Sequence, residues 1–190
     1  MTNWISLFSR TGAEIYQISK RLGKFPDCII TNKPLLKIKD VVPELIDEYD
    51  GPWVLLPSFP TVEQYENAFT LTFNKEVSGP DLITLHGYLR ILPLEICDRF
   101  TMYNGHPGLI DPKLTLFPDL LKGKDPQQKA FDLKLPESGC VIHKVTTTVD
   151  SGDIVASRKV SIEGKSLEDV YSILHDTSVD LWVDFLKERL

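Results

Sequence analysis

Asn104-Gly105-His106-Pro107 is the stretch where residue type and spacing most suggest chemistry. Residues two apart on extended backbone project to one side, and Pro107 biases His106 toward that backbone, so an amide and an imidazole would face one small volume. The amide suits a developing oxyanion, and an imidazole with an ordinary pKa of about 6.5 suits proton transfer at neutral pH. The alternative is a turn, since Asn-Gly is a common turn pair. Asp150, in Val149-Asp150-Ser151-Gly152, could orient a histidine and favour its charged form, or form an Asx-type turn. Arg90 follows an apolar run in His86-Gly87-Tyr88-Leu89-Arg90-Ile91-Leu92, where Gly87 would let a ligand approach the backbone and His86 could line the same pocket. His143 and His175 read as structural, the first inside a strand and the second in an amphipathic helix, neither with partners at metal-ligand spacing.

Two further segments bear on anions. Arg10-Thr11-Gly12-Ala13-Glu14 has the form of a strand-to-helix turn that favours phosphate, but it holds one Gly, and Glu14 sets a negative charge beside the site. A Gly-rich dinucleotide fingerprint is absent. Lys122-Gly123-Lys124-Asp125-Pro126-Gln127 combines two cations with the start of a short helix, for which Asp125 is the expected N-cap, Pro126 the first position and Gln128 the capping partner. A solvated lysine-rich loop is the alternative there.

Such groups need a scaffold that brings distant turns together. Short apolar runs alternate with amphipathic stretches in the first half, the pattern of βα units around a parallel sheet. Strands are expected at residues 4–8, 27–31, 53–56 and 81–85. The helices between them are carried by Ile15, Ile18 and Leu22, by Val41, Leu45 and Ile46, and by residues 62–69. A short helix at 94–100 and a strand at 101–104 follow, then a largely irregular stretch at 109–138. Strands at 140–145 and 154–162 would form a hairpin, and Ser166 with Asp169 opens a long terminal helix. The expected fold is α/β: an open, mostly parallel twisted sheet with helices on both faces, a late antiparallel hairpin and a long C-terminal helix. In such sheets ligands bind beyond the carboxyl ends of the strands. That rule selects the turns at 9–14, 87–92, 104–108 and 145–153.

The 190 residues are 42% hydrophobic and 25% charged, with a net charge of -6, which fits a single soluble domain and argues against a nucleic-acid footprint. No stretch is long and apolar enough for a bilayer, and no signal peptide is evident, so the expected location is the cytoplasm. Cys28, Cys97 and Cys140 lack metal spacing and read as reduced, buried thiols.

Taken in order, these segments resemble the folate-dependent formyltransferase family. The resemblance rests on Ser9 to Glu14, Gly87-Tyr88-Leu89-Arg90-Ile91-Leu92, Asn104-Gly105-His106-Pro107, Val141-Ile142-His143-Lys144-Val145 and Val149-Asp150-Ser151-Gly152. It implies one catalytic domain over residues 1–190, with a triad of Asn104, His106 and Asp150 and with 10-formyltetrahydrofolate as formyl donor. The pterin would lie between Leu89, Arg90, Ile91 and Leu92 on one side and Val145, Thr146, Thr147 and Thr148 on the other. The acceptor would be the amine of a small molecule, met by Arg10, Thr11 and Gly12, and by Lys122 and Lys124 if it is negatively charged. Members acting on a phosphorylated acceptor have a Gly-richer first loop, with Asn where Glu14 stands. Water as acceptor, making a hydrolase, and a non-catalytic folate-binding module are the competing readings. Nucleic acid and membrane are not expected partners, and a homodimer is left open.

Overall fold

Strand-forming runs of β-branched and aliphatic residues build the sheet. The computed structural model describes residues 2–56, 61–76 and 82–190. Its strands are β1 (Trp4–Phe8), β2 (Cys28–Thr31), β3 (Trp53–Leu55), β4 (Leu82–His86), β5 (Met102–His106), β6 (Glu137–Lys144) and β7 (Ile154–Ser161), in the order β3-β2-β1-β4-β5-β6-β7. The first five run parallel, and β6 and β7 are antiparallel to their neighbours. Strand order reverses between β1 and β4, so the carboxyl ends of β1, β4 and β5 flank the crevice where open α/β sheets take ligands. The expected fold class is the one observed.

Seven helices complete the chain among the described residues: α1 (Ala13–Leu22), α2 (Leu35–Lys39), α3 (Pro43–Glu48), α4 (Val62–Glu76), α5 (Leu94–Arg99), α6 (Pro126–Asp132) and α7 (Leu167–Lys187). Period-two alternation divides β1 between two layers. Ile5 and Leu7 pack with Tyr65, Phe69 and Phe73 of α4 and Ile96 of α5, whereas Trp4 joins the α7 side with Leu174 and Trp182. A smaller cluster seats Ile15 of α1 against Ile38 and Leu45. The Ser166–Asp169 capping box opens α7 as expected, and the helix buries Val170, Leu174, Val179, Trp182 and Leu186. Each such side chain contributes about 1.5–3 kcal/mol through removal from water.

Several elements depart from expectation. The helix expected around Val41, Leu45 and Ile46 begins only at Pro43, which occupies a first-turn position of α3, and α2 is an additional short helix before it. Val41, expected on its apolar face, lies between the two and is 59% exposed. The third helix runs on to Glu76, beyond the expected 69. β5 continues through Asn104 and Gly105 to His106, so the Asn-Gly pair is strand, not turn. α6 starts at Pro126, but Asp125 makes no side-chain capping bond; its backbone is left-handed, not the extended conformation from which a capping side chain acts. Residue 81, where the fourth strand is expected to start, lies outside the described residues.

Candidate active site

Register on β5 and β6 assembles the first part of the site. Asn104 and His106 lie two apart on one strand, and Asn104 pairs directly with His143 of antiparallel β6. Cross-strand partners share a face, so two imidazoles and one carboxamide converge without help from a loop. His143 Nδ1–H donates to the Lys144 carbonyl at 2.8 Å, leaving Nε2 to accept from Asn104 Nδ2 at 3.1 Å. That bond uses one amide N–H and leaves the other free.

Asp150 arrives by a route the strand-edge rule does not describe. β6 runs opposite to β5, so the chain leaves it beside the first residue of β5, where the Val145 amide donates to the Met102 carbonyl. The connection then folds back, with Asp150 in the left-handed region at φ 50°. One carboxylate oxygen lies 3.4 Å from His106 Nδ1 and accepts the Gly123 N–H at 2.8 Å; the other lies 3.4 Å from His143 Nε2. Asp150 therefore contacts His106 and His143, and Asn104 joins them through His143, but the turn at 145–153 does not begin on the carboxyl edge as expected.

The irregular segment before α6 holds this group from the other side. His106 Nε2 donates to the Leu121 carbonyl at 2.7 Å, which leaves Nδ1 as the nitrogen facing Asp150. Burial pushes the His106 imidazole below the usual histidine range, and the Asp150 charge only partly offsets this. Burial would raise the Asp150 carboxyl, but His143, His106 and the Gly123 amide together hold it below the usual carboxylate range. At neutral pH the pair is a neutral base beside an anion, fitted to accept a proton and steady the resulting charge. Among the described residues, no group of three His, Cys, Asp or Glu is arranged to hold a metal.

These groups open into a cavity of about 710 Å³. Its lining includes the Leu89, Arg90, Ile91 and Leu92 segment and Val145, Thr146, Thr147, Thr148 and Val149. Leu92 is buried, but Leu89 and Ile91 are 65% and 68% exposed, and the guanidinium of Arg90 lies 5.6 Å from the Tyr65 ring centre. It also includes Arg10, Thr11, Gly12 and Glu14, Lys124 to Gln127, and Tyr171, Ser172, His175 and Ser178 of α7. His86 lines it as well.

Three expectations change. His143, expected to be structural, is part of the polar cluster; only strand pairing reveals this. His175 also reaches the cavity, because α7 turns one polar strip toward it. Lys122 does not line the cavity, being paired with Asp119 at 2.7 Å, whereas Lys124 does.

Known proteins place this architecture. The fold matches phosphoribosylglycinamide formyltransferase from Bacillus halodurans with a TM-score of 0.76 at 23% identity, covering 96% of this chain and 92% of that one. It also matches a formyltetrahydrofolate deformylase from Pseudomonas syringae with a TM-score of 0.77 at 19% identity, covering 98% of this chain and 60% of that one. In sequence, 99 residues are 31% identical to phosphoribosylglycinamide formyltransferase of Dictyostelium discoideum, covering 46% of this chain and 44% of the relative. Another 113-residue match is 32% identical to methionyl-tRNA formyltransferase of Ralstonia pickettii, covering 58% of this chain and 31% of the relative. The matched stretches thus span less than half the length of these curated relatives. The Formyl transferase family profile matches residues 36–186, from α2 almost to the end of α7, and the chain belongs to that family.

Proposed function

We propose that residues 1–190 act as one catalytic domain that moves a formyl group from 10-formyltetrahydrofolate to the amino group of a small molecule. The observation that carries this reading is the cluster in which Asp150 contacts His106 and His143 and His143 bonds Asn104, in the wall of a cavity that also presents the Leu89 to Leu92 segment.

The residues fit a reduced folate in a specific way. Among the described residues, no backbone carbonyl engages the N–H groups of Leu89, Ile91 and Leu92, so these are available to the edge of a flat heterocycle. The apolar side chains of Leu85, Leu92 and Val145 offer its faces a surface. Bound there, the folate would supply the formyl carbon. Asn104 directs its free N–H at the formyl oxygen, where negative charge gathers as the amine attacks. His106 Nδ1 takes the proton the amine loses and returns one to the departing nitrogen of the folate, so the net reaction exchanges a C–N bond for a C–N bond. Asp150 steadies the imidazolium during that interval and is itself oriented by the Gly123 amide.

Loss of the formyl donor, followed with and without a panel of primary amines, tests this. Amine-dependent loss supports transfer. Equal loss without amine identifies water as the acceptor. No loss, with saturable binding of a folate analogue by calorimetry, identifies a binding module. Absence of saturable binding at millimolar analogue removes the folate from the reading.

A further inference from the structure

Glu14 sits in the first turn of α1 and lines the cavity with Arg10, Thr11 and Gly12, the residues that the family resemblance assigns to the acceptor. Its side chain is 21% exposed, and both carboxylate oxygens are fixed. One accepts from His86 Nδ1 at 3.0 Å and the other from Ser178 Oγ at 2.5 Å. His86 is held in turn, with Nε2 2.9 Å from Thr84 Oγ1, and that oxygen accepts the Trp4 indole N–H at 2.8 Å and lies 3.0 Å from Ser6 Oγ. All these donors are satisfied with a neutral imidazole: Ser6 gives its proton to Thr84, Thr84 to His86 Nε2, and His86 Nδ1 to Glu14. Among the described residues, no lysine or arginine lies within 4 Å of Glu14. Glu14 is thus held by hydrogen bonds from His86 and Ser178 and by no lysine or arginine.

The chain of bonds crosses β1, β4, α1 and α7, so this carboxylate is a rigid feature of the cavity. Around it the wall offers Thr11, Tyr171, Ser172 and His175. A phosphate dianion there would meet a fixed anion, whereas an ammonium or hydroxyl would give its proton to the free lone pairs of Glu14. Burial raises the Glu14 carboxyl, but His86 and Ser178 outweigh it and hold the group below the usual carboxylate range, so the charge persists at neutral pH.

We propose that Glu14 determines specificity in the acceptor part of the cavity, selecting an amine that carries a hydrogen-bond donor there, an ammonium or a hydroxyl, and rejecting a phosphate ester. This rests on the reading of the cavity as a formyl-transfer site, but its test reads binding, not turnover. Pentylamine, aminopentanol, diaminopentane and aminopentyl phosphate differ only in the group presented at the far end. Each is titrated by calorimetry onto the full chain saturated with a folate analogue, for the wild type, Glu14→Gln and Ser178→Ala. The wild type should bind diaminopentane or aminopentanol about tenfold more tightly than pentylamine, with the phosphate weakest, the scale of one charge-assisted hydrogen bond. Glu14→Gln should remove that preference without changing folate affinity, costing diaminopentane more if an ammonium is the natural group and costing the two equally if it is a hydroxyl. Ser178→Ala, which keeps the carboxylate but releases one tether, should give a smaller loss of preference. Tightest binding by the phosphate, an unchanged order in Glu14→Gln, or no binding by any of the four overturns the proposal. Failure of formyl transfer itself would appear only in the donor-loss assay.

Discussion

At the scale of single residues, the roles of His106 and Asp150 separate by pH. His106 must be neutral to accept a proton, and burial sets its pKa below the ordinary histidine value of about 6.5. The acid limb of kcat/KM is therefore expected below that pH. Asp150 raises the His106 pKa, so Asp150→Asn should move the limb to still lower pH while reducing kcat. A limb that moves upward, or stays fixed, would show that another group is being read. His106→Ala should cost roughly a hundredfold or more in kcat, the usual contribution of general base catalysis, with folate binding intact by calorimetry. An unchanged rate would take His106 out of the mechanism. Local signals singled out Asn104, His106 and Asp150 but left a turn as the alternative for each segment, and it was the family resemblance that joined the three. His143 was not legible, since its place opposite Asn104 depends on a register between β5 and β6 that no local pattern encodes. Glu14 was read as a charge set against phosphate; its tethers to His86 and Ser178 come from residues 72 and 164 positions away.

At the scale of elements, the segment between β5 and α6 works as a clamp. The Leu121 carbonyl takes the His106 Nε2–H, and two residues later the Gly123 amide meets Asp150. Gly123 has φ 79°, a conformation open to glycine at little cost. Gly123→Ala has free space for its methyl but not that backbone preference, at a cost of about 1 kcal/mol. Its expected signature is a fall in kcat accompanied by only a small shift in the thermal midpoint; a loss confined to stability would mean that the segment merely packs. Composition and prolines marked this stretch as irregular, but its task was hidden because backbone groups carry it. Val41 was counted into the helix of Leu45 and Ile46 because its spacing fits the apolar face, although Pro43 starts that helix after it, and the short α2 was not foreseen.

At the scale of the whole molecule, α7 supports both the core and the cavity. Leu174 is fully buried, and Leu174→Ala should destabilise the protein by about 2–5 kcal/mol, read from urea unfolding. A cost under about 1 kcal/mol would mean that α7 is not anchored as described. Alternating strands and amphipathic helices made the layers legible, whereas long-range fits such as α7 against β5 were not. A methyl on Gly105 would lie 2.5 Å from the Trp182 indole nitrogen, so the strand needs glycine there for close approach by α7. The same indole stands with its ring centre 4.5 Å from that of His86, the residue holding Glu14. One chromophore thus touches the backbone between Asn104 and His106 as well as the imidazole behind the acceptor wall. Excited-state emission from Trp182, isolated as the difference between wild type and Trp182→Phe, should respond to occupancy of the cavity. It gives the protein a built-in optical signal for ligand binding in solution, without any attached dye.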